Sequence, residues 1–353
     1  MPAEAMPCPL PAAPPRRSAG AAPLRVPGSA RRTSSIDVSW PDGRAGPLRM
    51  LGHARDIVTP PGGGAPLVVA EDSFAASLRP DRVIASIDAV PPRPALSRLV
   101  GARGGGGLRQ ALAEIAPEER RRGTPLYLIL DDLAGASLVS GWAWSQWDPQ
   151  WMTTSREALK DFDLEKAFRS RVGICAGFAE HSSGLDAGTD RSGTPTVDLR
   201  HPDDAQGWHA YAEQTGAPGM RRARRIDVQW LAAQIVIDAA FQDSATTPAG
   251  GRAVVHEYTL AATADPQSLR LLSIAAEPRV LPFVECPNAV ASLPRLLGTP
   301  LPELREKVLA ELRGTVGCTH LNDALRALAE VPVLARHLHK PGNNPETDGN
   351  PST

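Results

Sequence analysis

"RRTSSIDVSW", Arg31 to Trp40, returns 190 residues later as "RRARRIDVQW", Arg221 to Trp230. Ile36, Asp37, Val38 and Trp40 fall on Ile226, Asp227, Val228 and Trp230. The mix of β-branched and polar residues predicts a strand in each copy. Further matches follow in the same order. "ARDIVTPPGG" lies over "FQDSATTPAGG", with Asp56 on Asp243 and Pro60 on Pro248, and "VIASIDAVPPRP" lies over "LLSIAAEPRVLP", with Ser86 on Ser273. "SRLVG" lies over "PRLLG", and "GTPLYLILDDLAGA" from Gly123 lies without gaps over "GTVGCTHLNDALRA" from Gly314. Any one match arises by chance easily; five in collinear order predict a tandem duplication.

Each half opens with strand signals separated by turn chemistry. "PDG" at Pro41–Gly43, "PPGGG" at Pro60–Gly64, "PAGG" at Pro248–Gly251 and "ADPQS" at Ala264–Ser268 break the apolar runs. The spacing is too short for β-α-β crossovers, so the strands are expected to be antiparallel. Helices follow: Leu304, Val308, Leu309 and Leu312 recur at helical spacing before Gly314, and Leu321, Leu325 and Leu328 line one face further on. The expected fold is α+β, with two related halves, each an antiparallel meander followed by helices, packed as a pseudo-twofold pair. The halves span residues 31–140 and 221–337. A Trp-rich insert, residues 141–220, separates them and includes a helix-like "SREALKDFDLEKAFRSR". Residues 1–30 and 338–353 carry too little apolar pattern to repay ordering and are expected to be flexible tails.

The chain has 353 residues, 42% of them hydrophobic and 22% charged, and a net charge of −1. That balance argues against a nucleic-acid or acidic-membrane partner. The cluster "RRARR", Arg221–Arg225, reads as the solvated entry to a strand. No run of about 18 apolar residues is available to span a bilayer, and the first 30 residues lack a secretory apolar segment. Four cysteines without C-x-x-C spacing do not make a disulfide framework. A cytoplasmic setting with reduced thiols is expected.

The duplication supplies a contrast. Where the second half has Cys318 and His320, the first has Tyr127 and Ile129; Asp132 and Asp323 are kept in both. One half is therefore expected to hold a site and the other to support it. Three readings of Cys286, Cys318 and His320 stand together. In the first, they form an acid–base site supported by His256, Glu257 and Asp323. Thr319 would then cap the last helix, and that helix's N-terminus would lower the Cys318 thiol pKa. In the second, Cys286, Cys318, His320 and His256 hold zinc or iron, although C-x-H spacing chelates only from a loop. In the third, the cysteines are core residues and each aspartate caps or ties down its own helix.

Four of the seven tryptophans fall within "GWAWSQWDPQW". Trp142, Trp144 and Trp147 are expected to form either an aromatic wall for substrate or a packing layer. "GGGG", Gly104–Gly107, lacks the ending of a phosphate loop, and no dinucleotide, G-x-S-x-G or H-E-x-x-H motif occurs.

Residues 220–335 resemble the bacterial family known as domain of unknown function 2889. The resemblance rests on His256, Cys286 within "ECP", the helix ending "RLLG" and the "GCTHL" of Gly317–Leu321, with Arg31, Arg32 and Asp56 as fainter echoes in the first half. It implies no reaction. The expected function is therefore drawn from the residues: a small-molecule enzyme without an organic cofactor, a lyase or hydrolase acting on a hydrophobic or aromatic substrate. The alternatives are a zinc or iron enzyme using the same cluster, and a non-catalytic protein that binds a ligand or partner. The oligomeric state is left open.

Overall fold

The computed structural model describes residues 13–151, 154, 157, 170–186, 192–211 and 213–338. Most of the helix read over Ser155–Arg171 and all but one residue of the C-terminal tail lie outside the described residues.

Nine antiparallel strands form one sheet. The first half contributes β1 (Ser29–Ser39), β2 (Leu48–Thr59), β3 (Leu67–Leu78) and β4 (Ile84–Val90). The insert adds the short β5 (Thr194–Thr196), and the second half adds β6 (Gly219–Leu231), β7 (Gln234–Thr246), β8 (Arg252–Ala264) and β9 (Leu271–Val280). The order is β4-β3-β2-β1-β6-β7-β8-β5, with β9 also on β8. The two meanders therefore meet at β1 and β6, where Ser34 faces Arg224 and Arg31 and Asp37 face Asp227 and Arg221. Register slips by a bulge after Asp56 in β2 and after Asp243 in β7.

Helices cover one face: α1 (Leu108–Ile115), α2 (Pro117–Arg122) and α3 (Pro125–Val139) from the first half, then α4 (Leu304–Glu311), α5 (Thr319–Ala327) and α6 (Val331–Arg336) from the second. Alternation sends Ile226, Val228, Phe241, Tyr258 and Leu260 toward α4–α6 to make one apolar core, and Ile36, Met50, Phe74 and Ile129 make another under α3. No helix among the described residues is long and apolar enough to cross a membrane.

The other face is covered by chain that the sequence reading assigned to a tail and to the insert. Backbone N–H of Arg17 donates to Arg279 O, that of Leu281 to Pro15 O, and that of Ala22 to Leu199 O. Residues 13–28 are thus laid along the sheet by backbone pairing rather than by apolar pattern, which is why hydropathy does not announce them.

The "RRARR" reading is overturned. Arg221, Arg222, Arg224 and Arg225 are all at most 4% exposed. Each has its own carboxylate: Arg221 bonds Asp37 at 2.6 Å, Arg222 bonds Asp243 and Asp323, Arg224 bonds both oxygens of Asp132 at 2.6 Å, and Arg225 pairs with Asp227 and Asp238. A buried cation is tolerated only when paired and hydrogen-bonded. Asp132 and Asp323, expected to serve their own helices, instead tie α3 and α5 to the sheet. Gly135 allows the close approach: a Cβ there would lie 2.0 Å from Arg222 Nη1.

These pairs continue into one chain of charges between sheet and helices. Arg32 bonds Asp56 and Glu330; Glu330 pairs with Arg305; Arg305 and Arg326 share Asp131; Arg326, Arg109 and Arg222 meet at Asp323. With Arg224, Asp132 and Asp243, six arginines face six carboxylates, so the layer is neutral.

Candidate active site

The chain of charges ends at Asp243 on β7. Its carboxylate is fully buried and receives Arg222 Nε at 2.9 Å and Nη2 at 3.0 Å. β8 pairs His256 directly opposite Asp243. α5 then lowers His320 from its first turn onto the same spot. His256 Nδ1 lies 3.3 Å and His320 Nε2 3.8 Å from Asp243 Oδ2. The two imidazoles stack, with ring centroids 3.4 Å apart. Donor atoms of Asp243, His256 and His320 all lie within 4.8 Å of one another.

Burial pushes both histidines below the ordinary range, and for His320 the neighbouring His256 adds to it. Asp243 also feels burial, but Arg222 overcomes it and holds the carboxyl well below its usual range. His256 Nδ1 is buried, close to the carboxylate, and not aligned for a hydrogen bond with any partner. On its other side His320 Nδ1 faces Cys318 Sγ at 3.9 Å and Thr319 Oγ1 at 3.5 Å. Two nitrogens thus converge on one ionised oxygen, and the space between them is filled either by their own protons or by a cation. Two nitrogens and one carboxylate oxygen are donor types that zinc and iron take, and the stacked rings would have to turn for both in-plane lone pairs to reach one ion.

The first half shows what the site adds. Asp56 has the same arginine partnership through Arg32, but its cross-strand neighbour is Ala70 where Asp243 has His256.

The other expected site residues are placed differently. Cys318, not Thr319, occupies the N-cap of α5, with Thr319 as the first helical residue. Its thiol is buried, and burial raises its pKa; N–H groups of Leu321 and His320 pull the other way but lose. The expected lowering is therefore overturned by desolvation. Cys286 and Cys175 lie close by, also buried, and burial raises the Cys175 thiol to about 11. Cys175 comes from the insert, where Ala176 N–H bonds Gly317 O. Neither Cys286 nor Cys318 joins the converging donor set, so the metal reading loses both sulfurs and gains Asp243. Asp323 sits within the arginine chain, and Glu257, next to His256 on β8, points through the sheet to the opposite face, where Gln242 Nε2 donates to it at 3.2 Å.

Trp144 packs edge-on against Trp40 and beneath the Arg44 guanidinium, and Trp147 donates its indole N–H to Thr246 O. Trp142 borders Gly193 and packs on the core that includes Val255, next to His256 in β8. Asp243 was flagged by the duplication as the match of Asp56 but not as a donor; nothing local in "FQDSATTP" marks it.

Residues 220–334 match the family model described as "Protein of unknown function (DUF2889)". The matched segment runs from β6 to α6 and contains Asp243, His256 and His320. No curated protein matches the chain, and no solved structure does.

Proposed function

We propose that the protein is a small-molecule enzyme, of the lyase or hydrolase class and without an organic cofactor, whose reaction centre is Asp243, His256 and His320 holding one divalent zinc or iron ion. The observation that carries this reading is the convergence of three donor atoms within 4.8 Å around a buried His256 nitrogen that has no aligned partner. A bound divalent ion supplies Lewis acidity and lowers the pKa of bound water. Arg222 fixes the carboxylate from behind, and Cys318 and Thr319 beside Nδ1 leave His320 Nε2 turned toward Asp243. A hydrophobic or aromatic substrate would approach His320, the least buried of the three.

A second reading keeps the same residues without metal, with His320 carrying protons. The neutrality of the surrounding charge layer favours it, because a divalent ion adds charge that six arginines and six carboxylates do not offset. Cobalt(II) titration separates the two. One equivalent giving a visible spectrum without a thiolate-to-metal band, lost in His320→Ala, supports the metal centre. No binding leaves the proton-transfer reading.

We further infer that the two halves arose by duplication and are related by a pseudo-twofold axis at the β1–β6 seam. Three observations support it: Ser34 faces Arg224 at an offset of 190, both Arg31–Asp227 and Arg221–Asp37 pair across that point, and a bulge follows Asp56 and Asp243 alike.

A further inference from the structure

A cavity of about 330 Å³ lies on the sheet face opposite the histidines, between β6–β9 and the Ala19–Pro23 segment. The two sites are back to back. Asp243 and His256 face the helices, while their neighbours Gln242 and Glu257, paired in the next register, face the cavity. The cavity is therefore not the approach to the proposed reaction centre, and the reading below does not depend on that centre.

Small side chains, Ala223 and Ala240, line it together with Trp208, which belongs to one apolar cluster with Ala22 and Ala223. Trp208 Nε1, Arg225 Nε and Arg279 Nε are buried and have no hydrogen-bond partner. All three belong to residues that line this cavity, and all three are donors that cannot accept. A buried donor left unpaired is costly. Three of one polarity around one cavity define what the guest must offer, namely acceptor atoms.

Charge decides what kind of acceptor. Arg225 is already answered by Asp227 and Asp238, and Arg279 by Glu277. Glu257 is buried and accepts Ala19 N–H at 3.2 Å. With Asp238, Glu257 and Glu277 all on the lining, a carboxylate guest meets three acids and no unneutralised cation. A volume of this size is at the small end of ligand sites.

We propose that this cavity binds a small, flat, uncharged molecule bearing carbonyl-type oxygens, such as an aromatic amide, ketone or lactone. The molecule lies against Ala240, with its oxygen toward the orphan N–H groups.

The test is calorimetric titration of the full chain with 2-naphthamide and with its charged isostere 2-naphthoate. The expected result is saturable one-to-one binding of the amide and at least tenfold weaker binding of the carboxylate. Trp208→Phe, which keeps a ring and removes the donor, should weaken the amide by roughly fivefold, the loss of one hydrogen bond. Ala240→Leu, which fills that space, should abolish binding; if its circular dichroism departs from wild type, Thr259→Met takes its place. Absence of saturable amide binding by wild type overturns the proposal. So does equal or tighter binding of the carboxylate, or binding that survives the filling substitution.

Discussion

His256 and His320 stack with their ring planes inclined by only 18°, one ring carried by β8 and the other by the first turn of α5. The contact pins the helix to the sheet and aims two nitrogens at Asp243, so packing and chemistry are separable by substitution. His320→Phe keeps a ring in the stack and removes both nitrogens. It should leave the melting temperature within a few degrees of wild type, whereas His320→Ala should cost about 0.5–1.5 kcal/mol of aromatic contact on top of lost burial. On the proposed metal reading, neither variant should bind one equivalent of cobalt(II). A phenylalanine variant that still binds one equivalent would show that His320 is not a donor.

The arginines of β6 should be intolerant of single neutralisation. Arg224→Leu leaves Asp132 buried without its bidentate partner, with Arg222 Nη1 remaining at 3.8 Å. A loss of about 3–5 kcal/mol is expected in urea unfolding. The double variant Arg224→Leu, Asp132→Leu should recover most of it. Equal loss in the single and double variants would mean that packing of the arginine stem, not charge, accounts for the effect.

Acid should unfold the protein in two stages. His209 is fully buried between Thr33 Oγ1 and Ser35 Oγ at 2.8 Å each, and burial holds it well below the ordinary histidine range. The unfolded chain therefore binds a proton there that the folded chain does not, and stability falls as pH drops below about 6.5. Asp131 behaves differently. Arg326, Arg305 and Arg109 outweigh burial and hold it far below the carboxylate range. Its contribution is present above the unfolded value of about 3.9 and is lost as pH falls below it. Urea midpoints measured from pH 7 to 3 should decline in both windows, and His209→Gln should reduce the upper decline, the remainder of which falls to buried His256 and His320. An unchanged slope between pH 6.5 and 5 in that variant would assign the upper stage elsewhere.

The thiols should be slow. Cys175, Cys286 and Cys318 are buried and kept protonated by burial, and the thiolate is the reactive form. Ellman's reagent should modify none of the three within minutes in the native protein and all of them in guanidinium. Rapid labelling of Cys318 in the folded state would restore it as a nucleophile.

What could be read from the sequence follows from what is local. Alternation and turn chemistry located the meanders, and the Arg31–Trp40 repeat located the two strands that meet at the centre. Partners distant in sequence were out of reach. "RRARR" looks solvent-facing because its carboxylates, Asp37, Asp132, Asp243 and Asp323, lie in other strands and helices. His256 and His320 were singled out, but the third member, Asp243, has no neighbouring motif, and it is selected only when a bulged β7 lies beside β8. Helix-terminus reasoning put the right N–H groups around Cys318 but could not weigh them against a burial that only the packed structure reveals.

Elemental analysis of the purified, tag-free protein, beside His256→Ala and Cys318→Ala, tests the central claim most directly. Close to one zinc or iron per chain is expected, lost in His256→Ala and kept in Cys318→Ala. A folded wild-type protein that contains no transition metal and takes none up on dialysis against zinc or iron(II) would contradict it.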